Sequence, residues 1–584
     1  MKKIVSTAVI AGTIFGSTSA FASHKEVKQT QSHEYGNQAN SVGLGALLSQ
    51  VQSSGGGVLQ AQSAARAKGS NQDQSLSVFA GQNQFARGAL LAQLQEAGSY
   101  SGQDQAVAGK KNSQDQDSNN SGTQFQGARG LLIGQLQGSG NQNQQGQATS
   151  GHRNDQNQDV NNGAGQGQLG LGLLIGQLQG SSNSNGQNQG STGAFNDQDQ
   201  NIENGTGQLQ VGIGIGIEQG QGSANTNNQS QYAGGLFNDQ DQDIENSTGQ
   251  LQVGVGVGIE QGQSSSNASG QVSEVVGVGN DVDQDVDNDT AQSQVGTGST
   301  VSQGQSSSNT AGQGAGAVGV GNDVDQDVDT DTEQSQASAG GAGQAQSSAN
   351  GSVQSGAVDG DCNDLDQDID HDTDQSQSGS AGAVQNQESA NSAGQGAAID
   401  GDGNDVDQDV DNDTTQGQSG AGAAQDQGSA NGSLQLADVG GNGNDVDQDV
   451  DNTTEQDQTG AAGAEQSQDS ANAVQQGATV DGDCNDVDQD VANDTTQAQA
   501  GTGSVDQSQS SASDTTQTAS TSGADNNTDQ SVSNDTTQSQ AGSGNANQNQ
   551  SVSNNTTQSA TSAGAHINQS QSSGFTVVQA QANS

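Results

Sequence analysis

The chain predicts an all-β fold, a repetitive β-solenoid or cross-β stack. Three observations point there. Proline is absent from all 584 residues, a short repeat holds its phase over most of the chain, and residue character alternates with period two inside each repeat.

Average usage of ~5% would place about 29 prolines in a chain this long. Proline lacks the ladder N–H and is kept out of central strands, so its absence suits a chain that pairs throughout. The other numbers pull towards disorder. Apolar residues make up 27% of the chain, there is no Trp, and the net charge is -56. A conventional core needs roughly 45–50% apolar residues, and low hydrophobicity with high charge is the signature of an unfolded chain. The repeat decides for β.

Asn-Asp recurs at Asn196, Asn238, Asn280, Asn322, Asn363, Asn404, Asn444 and Asn485, a spacing that marks a solenoid or array. A shorter period lies inside it. Gln-x3-Asn-x3-Gln occurs at Gln284-Asn288-Gln292, Gln305-Asn309-Gln313, Gln387-Asn391-Gln395, Gln408-Asn412-Gln416, Gln530-Asn534-Gln538 and Gln550-Asn554-Gln558. Its first Gln returns roughly every 21 residues, the length of a single solenoid repeat. That phase runs from Gln52 to Gln571, while the middle position varies (Ser99, His371, Ser513, Phe575). One unit is expected to fold as strand-turn-strand-turn and make one rung. With about 26 units at 4.7–4.9 Å per rung, the stack would be about 125 Å long. Gln and Asn at fixed phase would form hydrogen-bonded ladders along it, in place of an oily core.

Within a unit, Val282, Gln284, Val286, Asn288, Thr290, Gln292 and Gln294 share one parity, and Asp281, Asp283, Asp285, Asp287 and Asp289 the other. Alternate side chains of a strand point to opposite faces, so one face is a comb of carboxylates. Leu209, Val211, Ile213, Ile215 and Ile217 alternate in the same way with Gln210, Gly212, Gly214 and Gly216.

The expected organisation is a secretory leader at 1–22, an unrepeated segment at 23–44, Gln/Gly/Leu/Ile-rich repeats at 45–235, and Asp/Gln/Asn-rich repeats at 236–581. The leader reads from Lys2 and Lys3, the apolar run Ile4 to Phe15, and Ala20-Phe21-Ala22 before Ser23. The last unit, Gln571 to Gln579, is apolar around Phe575 and would cap the stack or join it to another. No segment approaches the ~20 apolar residues of a membrane-spanning helix.

All eleven Lys and Arg lie at or before Arg153. Nucleic acid and anionic membrane are poor partners for the acidic remainder, and divalent cations are better ones. Asp-rich units alternate with neutral ones, so with one unit per rung equivalent carboxylates would sit about 9.5 Å apart. Three readings of the comb stand together: a solvated face, a charge barrier that delays association until acid or cations neutralise it, and Ca²⁺ sites among Asp281, Asp283, Asp285, Asp287, Asp405, Asp407, Asp409 and Asp411. Neither an EF-hand loop nor the tandem nine-residue Ca²⁺ repeat is present.

Enzymatic chemistry has no foothold. The five histidines (His24, His33, His152, His371, His566) are scattered and fit no metal or nucleophile-base spacing. Cys362 and Cys484 share the context Asp-Gly-Asp-Cys-Asn-Asp. At six rungs apart, about 28 Å, they would lie beyond disulfide reach, leaving free thiols or interchain cross-links.

The units resemble curlin repeats, the building blocks of curli-type functional amyloid. That pattern, roughly Q-x-G-x-G-N-x-A-x3-Q, is nearest at Gln540-Ala-Gly542-Ser-Gly544-Asn545-Ala-Asn-Gln548. Its first half recurs at Gln294-Val-Gly296-Thr-Gly298 and Gln499-Ala-Gly501-Thr-Gly503. The resemblance implies a self-associating subunit, exported through outer-membrane secretion machinery, that forms adhesive biofilm fibres. Two other classes compete with it. One is a monomeric cell-surface solenoid binding Ca²⁺ or, through Thr414-Thr415 and Thr495-Thr496, ice. The other is a disordered acidic matrix polymer.

Overall fold

The computed structural model describes the backbone of residues 5–9, 16–21 and 28–583, apart from short interruptions. Side chains are described chiefly over 202–561, with scattered positions from 141 and again over 570–580. Lys2, Lys3, Ala22, Ser23, His24 and His566 lie outside the described residues.

Every paired strand is parallel to its neighbour, so the chain winds as a β-solenoid. The register fixes the winding. Asp281 pairs with Asp323, Asp323 with Asp364, Asp364 with Asp405 and Asp405 with Asp445. The separation between stacked equivalents, and so the length of a rung, is 42, 41 or 40. Each repeat unit therefore supplies a single long strand and one corner, and two units complete a rung. This corrects the expected rung of four short elements. It halves the number of rungs, so the stack is roughly 60 Å long.

Two kinds of strand result. Asp364–Gly379, Asp405–Ala421 and Asp445–Ala461 stack into an Asp-bearing sheet. Val384–Asp400, Ala424–Gly440 and Glu465–Asp481 stack into a neutral one. Burial alternates strictly along both. The two inward faces meet: the Gln292 side-chain amide donates to the carbonyl of Ser306 at 3.1 Å, and Gln294 to that of Gly304 at 3.0 Å. Two apolar threads run through this interior. Val282, Ala317, Val324, Leu365 and Val406 form part of one, and Ile244, Val286, Val328, Ile369 and Val410 part of the other.

One corner recurs as a four-residue turn at Gly360–Asn363, Gly401–Asn404, Gly441–Asn444, Gly482–Asn485 and Gly523–Asn526. Its first residue is glycine because the chain passes close to the rung before. A Cβ on Gly401 or Gly441 would land on the carbonyl oxygen of Gly360 or Gly401. The third residue is left-handed, with φ of 69° at Gly403 and Gly443 but 58° at Cys362 and 64° at Cys484. The fourth is the recurring Asn. The backbone N–H of Asn363 donates to Asn404 Oδ1 and that of Asn404 to Asn444 Oδ1, at 2.9 and 2.8 Å. The Asn-Asp motif is thus a turn signal, spent once per rung.

Substitutions at this corner are expected to act in opposite directions. Gly441→Ala should destabilise the fold by about 1–3 kcal/mol through overpacking. Cys362→Gly should stabilise it by about 1 kcal/mol, because glycine adopts the left-handed conformation without penalty. Amide hydrogen exchange at the Gly441–Asn444 and Gly360–Asn363 corners reads each change locally.

Candidate functional site: an amide-ladder core beneath an acidic sheet

The Gln and Asn of the repeat face inward and stack on themselves. From the Gln284 side chain donating to Gln242 at 2.7 Å, the bonds run without a break. Gln326 donates to Gln284, Gln367 to Gln326, Gln408 to Gln367, Gln448 to Gln408, Gln489 to Gln448 and Gln530 to Gln489, all at 2.7–2.8 Å. Gln292, Gln416 and Gln538 belong to a second such column, Gln305 to a third and Gln313 to a fourth. Each amide is used fully. Besides the Gln271 carbonyl, the Gln313 Nε2 reaches the backbone oxygens of Gln284 at 2.9 Å and Asp327 at 2.7 Å. A buried polar network whose members are paired in this way holds one register, because a slip would leave amides unpaired in a low dielectric.

Asparagines tie the two sheets together at mid-strand. Asn162 donates to Asn185, Asn185 to Asn204, Asn204 to Asn227 and Asn227 to Asn246, at 2.7–2.8 Å, crossing the interior at each step. Asn288 accepts from Asn246 at 2.8 Å. Asn309 donates to Thr332 at 3.1 Å, Asn412 to Asn452 at 2.8 Å, and Asn493 to Asn534 at 2.7 Å. His371 occupies this column fully buried, with Nε2 2.7 Å from Ser352 Oγ and Nδ1 2.9 Å from Asn412 Oδ1. Burial holds its pKa down at about 4, against which the Asn412 contact works only weakly. It is a neutral ladder member, and the sequence missed that role because only the column, not the residue type, defines it.

The outward face of the Asp sheet carries the carboxylates. Asp283, Asp325, Asp366, Asp407, Asp447 and Asp488 form one column, and Asp285, Asp327, Asp368, Asp409 and Asp449 another. Asp281 and Asp405 stand in a third column, and Asp287 and Asp411 in a fourth. Equivalent carboxylates therefore occupy adjacent rungs, and the expected wider spacing, with a neutral rung between charged ones, is overturned. At ~4.8 Å each neighbouring pair repels by roughly 0.9 kcal/mol in bulk water before screening. Alternating units separate the charge onto one sheet rather than diluting it along the axis.

These groups are shifted accordingly. Asp287 is pushed up to about 7, first by burial and then by Asp289, Asp329, Glu245 and Asp285. Asp411 is pushed up to about 7 by burial and then by Asp413, Asp451, Asp409 and Asp372. Asp285 and Asp407 rise to about 6, and Asp283 and Asp409 are raised as well, in each case chiefly by burial. No cation opposes them, since no basic residue follows Arg153.

Among the described residues, no group of three or more His, Cys, Asp or Glu converges in a way that could hold a metal ion. The columns are a flat array rather than a cage. Cys362 and Cys484 are exposed and free, three corners apart rather than six, with Gly403 and Gly443 between them. That is ~14 Å along the stack, still beyond disulfide reach. Thr414 is buried whereas Thr415 points outward in a column with Asp374 and Glu455, so the Thr pairs make no continuous Thr surface. Phe575 pairs with Asn534, at the Asn position of the ladder, and is 73% exposed on the outermost strand described, Asn568–Asn583. Among the described residues, no helix is long and apolar enough to cross a membrane. No protein-family model, curated protein or solved structure matches the chain.

A carboxyl held above its usual range binds its proton more tightly folded than unfolded, so the fold gains stability as pH falls from about 7 towards 4. His371 acts the other way: with its folded value near 4 below the unfolded ~6.5, its contribution is lost as pH falls through that window. The aspartates outnumber it. Denaturant midpoints are expected to rise from pH 7 to pH 4.5, and to rise further in His371→Asn, which places a ladder amide there. A midpoint that falls steadily on acidification would contradict the raised carboxyl values.

Within the ladder, Gln408→Glu is expected to destabilise the fold by about 3 kcal/mol or more at pH 7, where a buried carboxylate replaces a paired amide. Much of that loss should be recovered at pH 4, and parallel denaturant titrations of the two proteins check both halves.

Proposed function

We propose that this chain is a secreted structural subunit that stacks into cross-β fibres of an extracellular matrix or adhesive layer. The observation that carries the reading is the unbroken Gln column from Gln242 to Gln530, with one amide bond per rung. Such a core is built by translation along one axis, and each rung is the template for the next. The outermost strand described, with Phe575, Val577 and Val578 exposed, offers the kind of edge on which a further strand pairs. The leader-like start at Lys2 to Ala22 and the curlin-like spacing support export and fibre formation.

The acidic sheet then serves as the control on assembly. Its charge opposes compact stacking at neutral pH, and protons or divalent cations relieve it. Ca²⁺ would act by screening and bridging the columns rather than by filling a cage. The surface described is interior amide and exterior carboxylate, which suits scaffolding rather than catalysis.

X-ray diffraction from aligned fibres of the mature chain is expected to give a ~4.7 Å meridional reflection. Fibre growth followed by turbidity should be faster at pH 5, or with millimolar Ca²⁺ at pH 7, than at pH 7 alone. Chain that stays soluble and gives no such reflection after days under all three conditions would remove the fibre reading. Equal rates would remove only the charge control.

A further inference from the structure

The rungs between Asp197 and Val320 carry apolar side chains on the outside. One strip lies where the Asp sheet runs into the corner rich in glycine. There Ile213 stacks with Val255, Ile215 with Val257, and Leu251 and Val295 flank them. The inward positions beside them include Gly254, where a Cβ would sit 2.7 Å from Ile259. The interior is full at this bend, so the large side chains turn outward. A second strip lies on the neutral sheet, beside the Gly-Asn corner: Leu236, Val278 and Val320 form one column, Val276 and Val318 the next, with Val272 further in.

All twelve side chains are 37–56% exposed. Together they leave on the order of 1,000 Å² of largely apolar surface, the size a specific protein contact needs and more than a monomer ordinarily shows. The strips occupy the same three rungs. They lie on opposite outer faces and at opposite edges, because the strands of the two sheets run in opposite directions across the interior.

We propose that these strips join two copies of this chain side by side, the strip at Leu251 and Val255 on one copy packing against the strip at Val276 and Val318 on the next. A sideways translation brings them together with rungs level. Columns repeating at ~4.8 Å meet columns of the same repeat and interdigitate as dry β-faces do. The placement of charge selects this arrangement. Asp281, Asp283, Asp285 and Asp287 occupy the other half of the sheet that carries the first strip, and a full face-to-face contact would bury them with no cation nearby. Overlap at the edges leaves them in water. Glu274 interrupts the second strip, in a column with Tyr232 and Gly316, and its exposed position lets it stay at the rim. An anionic lipid surface is a poor alternative occupant for a chain of net charge -56. Because the contact is lateral, it does not depend on axial stacking.

The test uses the full mature chain and two double variants, Leu251→Asp with Val255→Asp, and Val276→Asp with Val318→Asp. Sedimentation velocity on freshly refolded protein reads association, and electron microscopy of assembled material reads rod width. The natural chain is expected to associate laterally. Each variant should sediment as single rods, with the dissociation constant raised at least about tenfold. An equimolar mixture should recover association but stop at pairs, since each variant keeps the strip the other has lost. Circular dichroism confirms folding, and serine replacements at the same positions stand in wherever aspartate blocks it. Variants that associate like the natural chain, or a natural chain that runs only as single rods, would overturn the contact. So would binding of the natural chain to phosphatidylcholine vesicles, lost in the variants, without self-association. Absence of the ~4.7 Å cross-β reflection on these samples removes the fibre reading alone, because lateral association is read in solution.

Discussion

Everything in this molecule depends on the amide-to-amide bond between identical residues in successive rungs. A chain with so few apolar residues cannot hold two sheets together by burial alone, and the thin threads of Val, Ile and Ala do not fill the interior. Glutamine fills it instead, and is tolerated there because its donor and acceptor are met by the copies of itself above and below. That condition is strict. It demands parallel strands, matched register and near-constant rung length, and it explains why variation in length is confined to one or two residues per rung.

The same condition explains the placement of charge. Residues of one column must be alike inside, and the repeat that makes them alike also makes the outside alike, so aspartate stacks on aspartate. The fold accepts this repulsion on one sheet and leaves the facing sheet nearly neutral. A proton-sensitive face is then a by-product of in-register stacking, given functional use only if assembly is its purpose.

Much of this was legible in the residues. The period of two gave the strands and their inward face, and the spacing of Gln284, Asn288 and Gln292 was enough to mark them as ladder positions. The length of a rung was not legible from that motif, because a ladder column needs the same residues on either sheet and the motif recurs on both. The discriminating signal was the Gly-x-Gly-Asn corner, present once per rung: it marks a return to the same edge, whereas the Gln motif marks only a strand. The role of His371 depended on its column, and the outward turn of Ile213 and Val255 on a corner too crowded to take them. Neither appears in local pattern.

The ladders also have a direction. Glutamines donate towards the rung that precedes them in the chain, as Gln326 does to Gln284, whereas asparagines such as Asn246 and Asn309 donate towards the rung that follows. The dipoles of the two kinds of column oppose one another, so the electrical moment that would grow with every added rung is partly cancelled. A long stack of such rungs keeps two chemically distinct ends without becoming an ever stronger macroscopic dipole.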